Sequence, residues 1–262
     1  MTPDRLNNIG TILSKNILQP QDFSSVYFIY FSVILCIMKK SILDGIKCAI
    51  FDMDGTILES MTMWHTIADK YLMSIGKTPR EDLWDNVKRL NMVETAEYFI
   101  SAYGVEKTVE EIGIEVEKLI MKFYAESLQL KEGAEDFLRE LNERKIPCVL
   151  ATATERSCVL ACMKRLDCEK YFSHIITCLD LNTSKSQPLI FEESARRCGA
   201  KPEESLVFED ALHAIRTAKK AGFKVCAVYD ASDEELTEPP LTDWERILQI
   251  ADMDCKLLTE LL

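Results

Sequence analysis

The stretch AIFDMDGTILES, Ala49 to Ser60, carries the decision about the fold. An apolar run ends abruptly in two aspartates one residue apart, followed at once by a glycine. Short apolar runs of this kind are expected for strands buried on both faces, and such strands belong in parallel sheets. Four similar runs follow the one at residues 46–51 (IKCAIF): PCVLA at 147–151, HIITC at 174–178, SLVF at 205–208 and KVCAVY at 224–229. Amphipathic patterns separate them. One stripe runs through Ala134, Phe137, Leu138 and Leu141, another through Val159, Leu160, Met163 and Leu166. Strands alternating with helices predict an open α/β architecture with a parallel sheet.

Local signals bound several of these helices. Pro188 marks the start of one. Another begins near Glu155, with Thr152 or Thr154 available to cap it. A third runs from Ala211 to Gly222 with Asp210 in the N-cap position.

One connection is too long for a single crossover helix. About 95 residues separate the first strand from the second, and they read as helix throughout. Within TVEEIGIEVEKLIMKFY, Val109, Ile112, Val116, Leu119, Ile120 and Phe123 form an apolar face behind a Thr108 to Glu111 capping box. The expectation is a helical subdomain at residues 62–130 inserted into a core made of residues 46–61 and 131–262.

Composition excludes several classes of function. With 47% apolar and 28% charged residues the chain reads as globular, and a formal net charge of −12 argues against a nucleic-acid partner. Ten cysteines in 262 residues are too few for a disulfide scaffold and show no paired metal-ligand spacing, so reduced, mostly buried thiols in a cytoplasmic protein are expected. Residues 1–45 form an atypical extension. Its apolar run at 23–38, FSSVYFIYFSVILCIM, would span about 24 Å as a helix, against about 30 Å of bilayer hydrocarbon. Three readings stay open: a short membrane anchor, a docked extra element, or translation that truly begins at Met38. Membrane association is expected through 23–38 or not at all, and nothing in the sequence fixes an oligomeric state.

Ligands of open parallel sheets bind beyond the carboxyl ends of the strands. Four segments deliver chemistry there: Asp52 and Asp54 after the first strand, Thr152 at the end of the second, Lys185 beyond the third, and Glu209 and Asp210 at the end of the fourth. Acidic oxygens without histidine or thiolate partners select a hard cation such as Mg2+. An ammonium and a hydroxyl suit phosphoryl oxygens, so the set points to phosphoryl transfer. In that chemistry Asp52 is the candidate nucleophile and Asp54 the candidate acid/base, with Gly55 allowing the tight turn.

The motifs DMDGT, LATAT, SKSQP and VFEDALHAI, in this order over residues 46–230, resemble the haloacid dehalogenase-like superfamily, in particular its phosphatases and phosphomutases with a helical cap. The resemblance implies a Rossmann-like core and a cap at the inserted helices that closes over substrate. It also implies an aspartyl phosphate formed on Asp52, acid/base work by Asp54, phosphate contacts from Thr152 and Lys185, and magnesium held by Asp52, Glu209, Asp210 and the backbone carbonyl of Asp54. The lysine motif departs from the common K-P-x-P-D pattern, with Ser186 and Leu189 at the first proline and the aspartate.

The expected function is Mg2+-dependent hydrolysis of a small phosphorylated metabolite. The alternatives are a phosphomutase of the β-phosphoglucomutase type and a binding module that has lost catalysis. His65, His174 and His213 have no partners at ligand spacing and are expected to pack or face solvent. Which of Trp64, His65, Lys70, Lys88 and Arg89 face the cleft is not legible.

Overall fold

In a computed structural model of the chain, residues 43–88, 90–234 and 240–262 are described. The apolar run at 23–38, the start at Met38 and Arg89 lie outside the described residues. Six parallel strands form a sheet in the order β3-β2-β1-β4-β5-β6: β1 Cys48–Phe51, β2 Cys148–Thr152, β3 Phe172–Thr177, β4 Ser205–Glu209, β5 Lys224–Val228 and β6 Met253–Cys255. All five expected strands are present. The sixth was missed because Met253–Cys255 is a three-residue edge strand whose middle residue is exposed, too short to show a period.

Alternation along each buried strand divides the core. Ile50, Val149, Val207 and Val225 point to one face, where Phe191 and Ile215 pack on them. Those two residues belong to α7 (Leu189–Arg197) and α8 (Leu212–Lys220). On the other face the rings of Phe51 and Phe208 stack at 4.3 Å, and Phe137 of α5 (Ala134–Glu143) meets Phe208 edge-on at 5.3 Å. The register that sets Ile50 opposite both Val149 and Val207 brings the ends of β1, β2 and β4 level.

The long interval between β1 and β2 holds α1 (Met61–Ser74), α2 (Leu83–Val87), α3 (Met92–Tyr103) and α4 (Val109–Glu126). The expected capping box opens α4: the Glu111 amide donates to Thr108 Oγ1 at 3.2 Å and the Thr108 amide to Glu111 Oε2 at 2.8 Å. The chain leaves and re-enters the sheet side by side, with Leu58 bridged to Leu130 and the Lys131 amide donating to the Ile57 carbonyl at 2.9 Å.

Three local expectations are corrected. The buried stripe of α6 (Arg156–Arg165) is Cys158, Val159, Cys162 and Met163, while Leu160 is exposed. The cysteines act there as small apolar residues, which turns the helix away from the leucine face. Neither Thr152 nor Thr154 caps α6; Glu155 is its N-cap residue, without a side-chain bond. Likewise Ala211, not Asp210, stands at the N-cap of α8, because the Asp210 carboxylate is engaged elsewhere. Nine cysteines among the described residues are free thiols, and all but Cys198 are buried. No helix of the described residues is long and apolar enough to cross a membrane.

Candidate active site

The carboxyl ends of β1, β2 and β4 open into a cavity of about 550 Å3 lined by Asp52, Asp54, Thr152, Lys185, Glu209 and Asp210 among others. Every site residue expected from the sequence therefore reaches one place. Asp52 follows β1 directly, and its amide donates to the Phe208 carbonyl at 2.9 Å, which ties it to the neighbouring β4. Lys185 arrives after a tight turn beyond β3. Its ammonium is buried and donates to Asp52 Oδ1 and, at 2.7 Å, to Glu209 Oε2.

Gly55 is required by geometry. Its φ is +77°, and a Cβ there would lie 2.1 Å from Asp210 Oδ2. The bare backbone lets Thr56 donate from Oγ1 to Asp210 Oδ1 at 3.2 Å. Thr152 Oγ1 accepts the Thr154 amide at 3.0 Å, which leaves the Thr152 hydroxyl proton for another acceptor.

Asp52, Glu209, Asp210 and Lys185 are buried together. Burial pushes Asp52 up to about 7, with the charges of Asp210 and Asp54 adding and Lys185 opposing. Burial likewise raises Glu209 to about 7, helped by Asp52, and Asp210 to about 8, helped by Glu209. Burial alone would lower Lys185, but Asp52 and Glu209 together hold it above its ordinary range as an ammonium. Three buried carboxylates thus face one cation. Asp52, Glu209 and Asp210 each offer an oxygen within 4.8 Å of the others, a hard donor set that suits a divalent magnesium ion and would balance the excess charge.

Asp54 is held differently, by hydroxyls. Thr154 donates from Oγ1 to its Oδ2 at 2.5 Å, and Tyr124 of α4 donates from its phenol to Oδ1 at 2.6 Å. Burial and the neighbouring Asp54 charge push the Tyr124 phenol up, so it keeps its proton. Sequence reasoning missed Tyr124 and saw Thr154 only as a cap. The signal was present, since Ile112, Val116, Ile120 and Tyr124 are the buried residues of α4 at strict i, i+4 spacing. Trp64 lines this cavity and also an apolar one of about 300 Å3 among the inserted helices. His213 lines the site as well, contrary to the expectation of a packing or plain surface role, because α8 begins at its rim. His65 instead lies with its ring 4.3 Å from that of Trp84.

A parallel α/β sheet with carboxylates, an ammonium and a hydroxyl gathered at its carboxyl edge defines the class as an open α/β fold with an acidic, cation-compatible centre. The family model for haloacid dehalogenase-like hydrolases matches residues 49–228. The chain belongs to that family. It is 26% identical over 178 residues to a phosphorylated carbohydrates phosphatase of Thermotoga maritima, covering 68% of this chain and 82% of that one. It is 27% identical over 194 residues to (DL)-glycerol-3-phosphatase 2 of Arabidopsis thaliana, covering 71% and 80%. Among solved structures, CbbY of Rhodobacter sphaeroides in complex with phosphate superposes with a TM-score of 0.62 at 21% identity, covering 82% and 96%.

Proposed function

We propose that this protein is a magnesium-dependent phosphatase of a small phosphorylated metabolite, working through an aspartyl phosphate in the cytoplasm. The observation that carries the reading is the meeting of Asp52, Asp54, Thr152, Lys185, Glu209 and Asp210 around one cavity. The names of its relatives, phosphatases of phosphorylated carbohydrates and of glycerol 3-phosphate, support the same reaction class. Buried free thiols suit a reducing compartment.

The Asp52 carboxylate attacks phosphorus and forms an acyl phosphate as the ester P–O bond breaks. Asp54 gives the leaving oxygen its proton, then takes one from the water that attacks the acyl phosphate, so that inorganic phosphate leaves and Asp52 is restored. The Thr152 hydroxyl and the remaining N–H of Lys185 hold the other phosphoryl oxygens while charge develops on them. Asp52, Glu209, Asp210 and the Asp54 carbonyl would hold magnesium, which when bound neutralises charge on the transferring group. Residues 62–130 act as the cap over a core of 46–61 and 131–262, and the two connecting segments, joined by the isolated backbone bridge between Leu58 and Leu130, are its hinge.

Replacing Asp52 with Asn removes the attacking oxygen's charge and is expected to lower kcat by at least about a thousandfold. Phosphate release from a panel of sugar and polyol phosphates, with and without magnesium, tests the reading. Full activity in Asp52→Asn would assign the attack to another group.

A further inference from the structure

We infer that Tyr124 is a positioning residue for the acid/base carboxylate, fixing Asp54 so that one lone pair of its oxygens faces the leaving group. The inference rests on the phosphatase reading above. A carboxylate has about four acceptor positions on its two oxygens, and two hydroxyls pin one on each. Tyr124 holds Oδ1 at 2.6 Å and Thr154 holds Oδ2 at 2.5 Å, so the carboxylate plane cannot swing without breaking a bond. Both oxygens keep a second position through which a proton can pass. When the P–O bond breaks, the proton goes from Asp54 to the leaving oxygen, and the bond electrons stay with that oxygen. Tyr124 keeps its own proton throughout.

Tyr124 is held at both its phenol and its backbone carbonyl. Its side chain is fully buried, and its hydroxyl also lies 3.5 Å from Thr154 Oγ1. Arg165 of α6 donates through Nε to the Tyr124 carbonyl at 3.3 Å and through an Nη to the Leu128 carbonyl. The end of α4 is thereby fastened to a helix that leads out of β2, the strand that also ends in Thr152 beside the site. A residue far from every sequence motif of the site thus sets the attitude of Asp54.

The test separates positioning from general structural damage through the leaving group. Protonation matters for an alkoxide and little for p-nitrophenolate, which is a far weaker base and departs as the anion. In single-turnover measurements with magnesium, Tyr124→Phe is expected to slow alcohol release from the sugar or polyol phosphate of the panel that the wild type hydrolyses fastest by about tenfold or more while changing p-nitrophenol release less than about threefold. The ratio of the two rates, taken on one sample, does not depend on the fraction of folded enzyme. Arg165→Lys, which loosens the anchor and keeps every group at the site, should shift the ratio in the same direction by less, and it serves where Tyr124→Phe does not fold. A ratio equal to that of the wild type overturns the inference. Absence of hydrolysis by the wild type of every phosphate in the panel and of p-nitrophenyl phosphate overturns the phosphatase reading and this inference with it, whereas hydrolysis with an unchanged ratio overturns the inference alone.

Discussion

Gly55 concentrates the constraints of the site in one residue. Its left-handed φ and the 2.1 Å approach that a Cβ would make to Asp210 act together, so Gly55→Ala must displace either the β1 loop or the Asp210 carboxylate. We expect kcat/KM to fall by about a hundredfold and half-saturation to need more magnesium, since oxygen positions at a hard-cation site tolerate little movement. A magnesium titration of initial rates checks both. At this scale the sequence was informative wherever a motif placed residues close together in the chain. Asp52 with Asp54, and Glu209 with Asp210, could be read directly. The i, i+4 spacing puts Tyr124 on the buried face of α4, but its partner could not be read, because Asp54 lies 70 residues away in sequence and only packing brings the phenol to it.

Between elements, the connection from α4 back to the sheet contains a buried ion pair that sequence patterns do not signal. Lys131, just after the Leu58 to Leu130 bridge, donates to the Tyr229 carbonyl at 2.8 Å and pairs with Asp230 Oδ2 at 2.9 Å, both side chains being less than a tenth exposed. Asp230 also accepts the Ser232 amide at 3.0 Å. Lys131→Met would leave that carboxylate buried with its ammonium gone, at a cost of about 3 kcal/mol in unfolding free energy by urea titration. Burial opposes the charge of Asp230, but the Ser232 amide and Lys131 outweigh it and hold its pKa below the usual carboxylate range. A lowered folded pKa means that this stabilisation is complete above about pH 4 and is lost as pH falls through the lowered value. The difference between wild type and Lys131→Met should therefore narrow from about pH 7 to about pH 3. A constant difference would show that the pair does not carry it.

For the whole molecule, the three buried carboxylates set against one ammonium at the carboxyl edge predict that cation binding stabilises the fold. Magnesium at about a hundred times its dissociation constant should add about 2.7 kcal/mol to stability. For a chain of this size that is a rise in melting midpoint of roughly 5 °C or more. Scanning calorimetry with magnesium and with excess chelator measures it, and Asp210→Asn should remove most of the rise. An identical midpoint in both buffers would mean that the three carboxylates do not form a cation site. The parallel sheet behind this edge was legible as five apolar runs, whereas β6 was not, because a half-exposed edge strand carries no apolar signal.

The sequence by itself determined the parallel α/β core, the inserted helices and the six residues at the carboxyl edge. Apolar runs, capping boxes and acids at strand ends are local consequences of burial and of backbone hydrogen bonding. Only the tertiary structure decided which hydroxyls hold Asp54, that Lys185 pairs with both Asp52 and Glu209, and which face of α6 is buried. Each of those depends on the distance between segments far apart in the chain, and that distance is set by how the helices pack on the sheet.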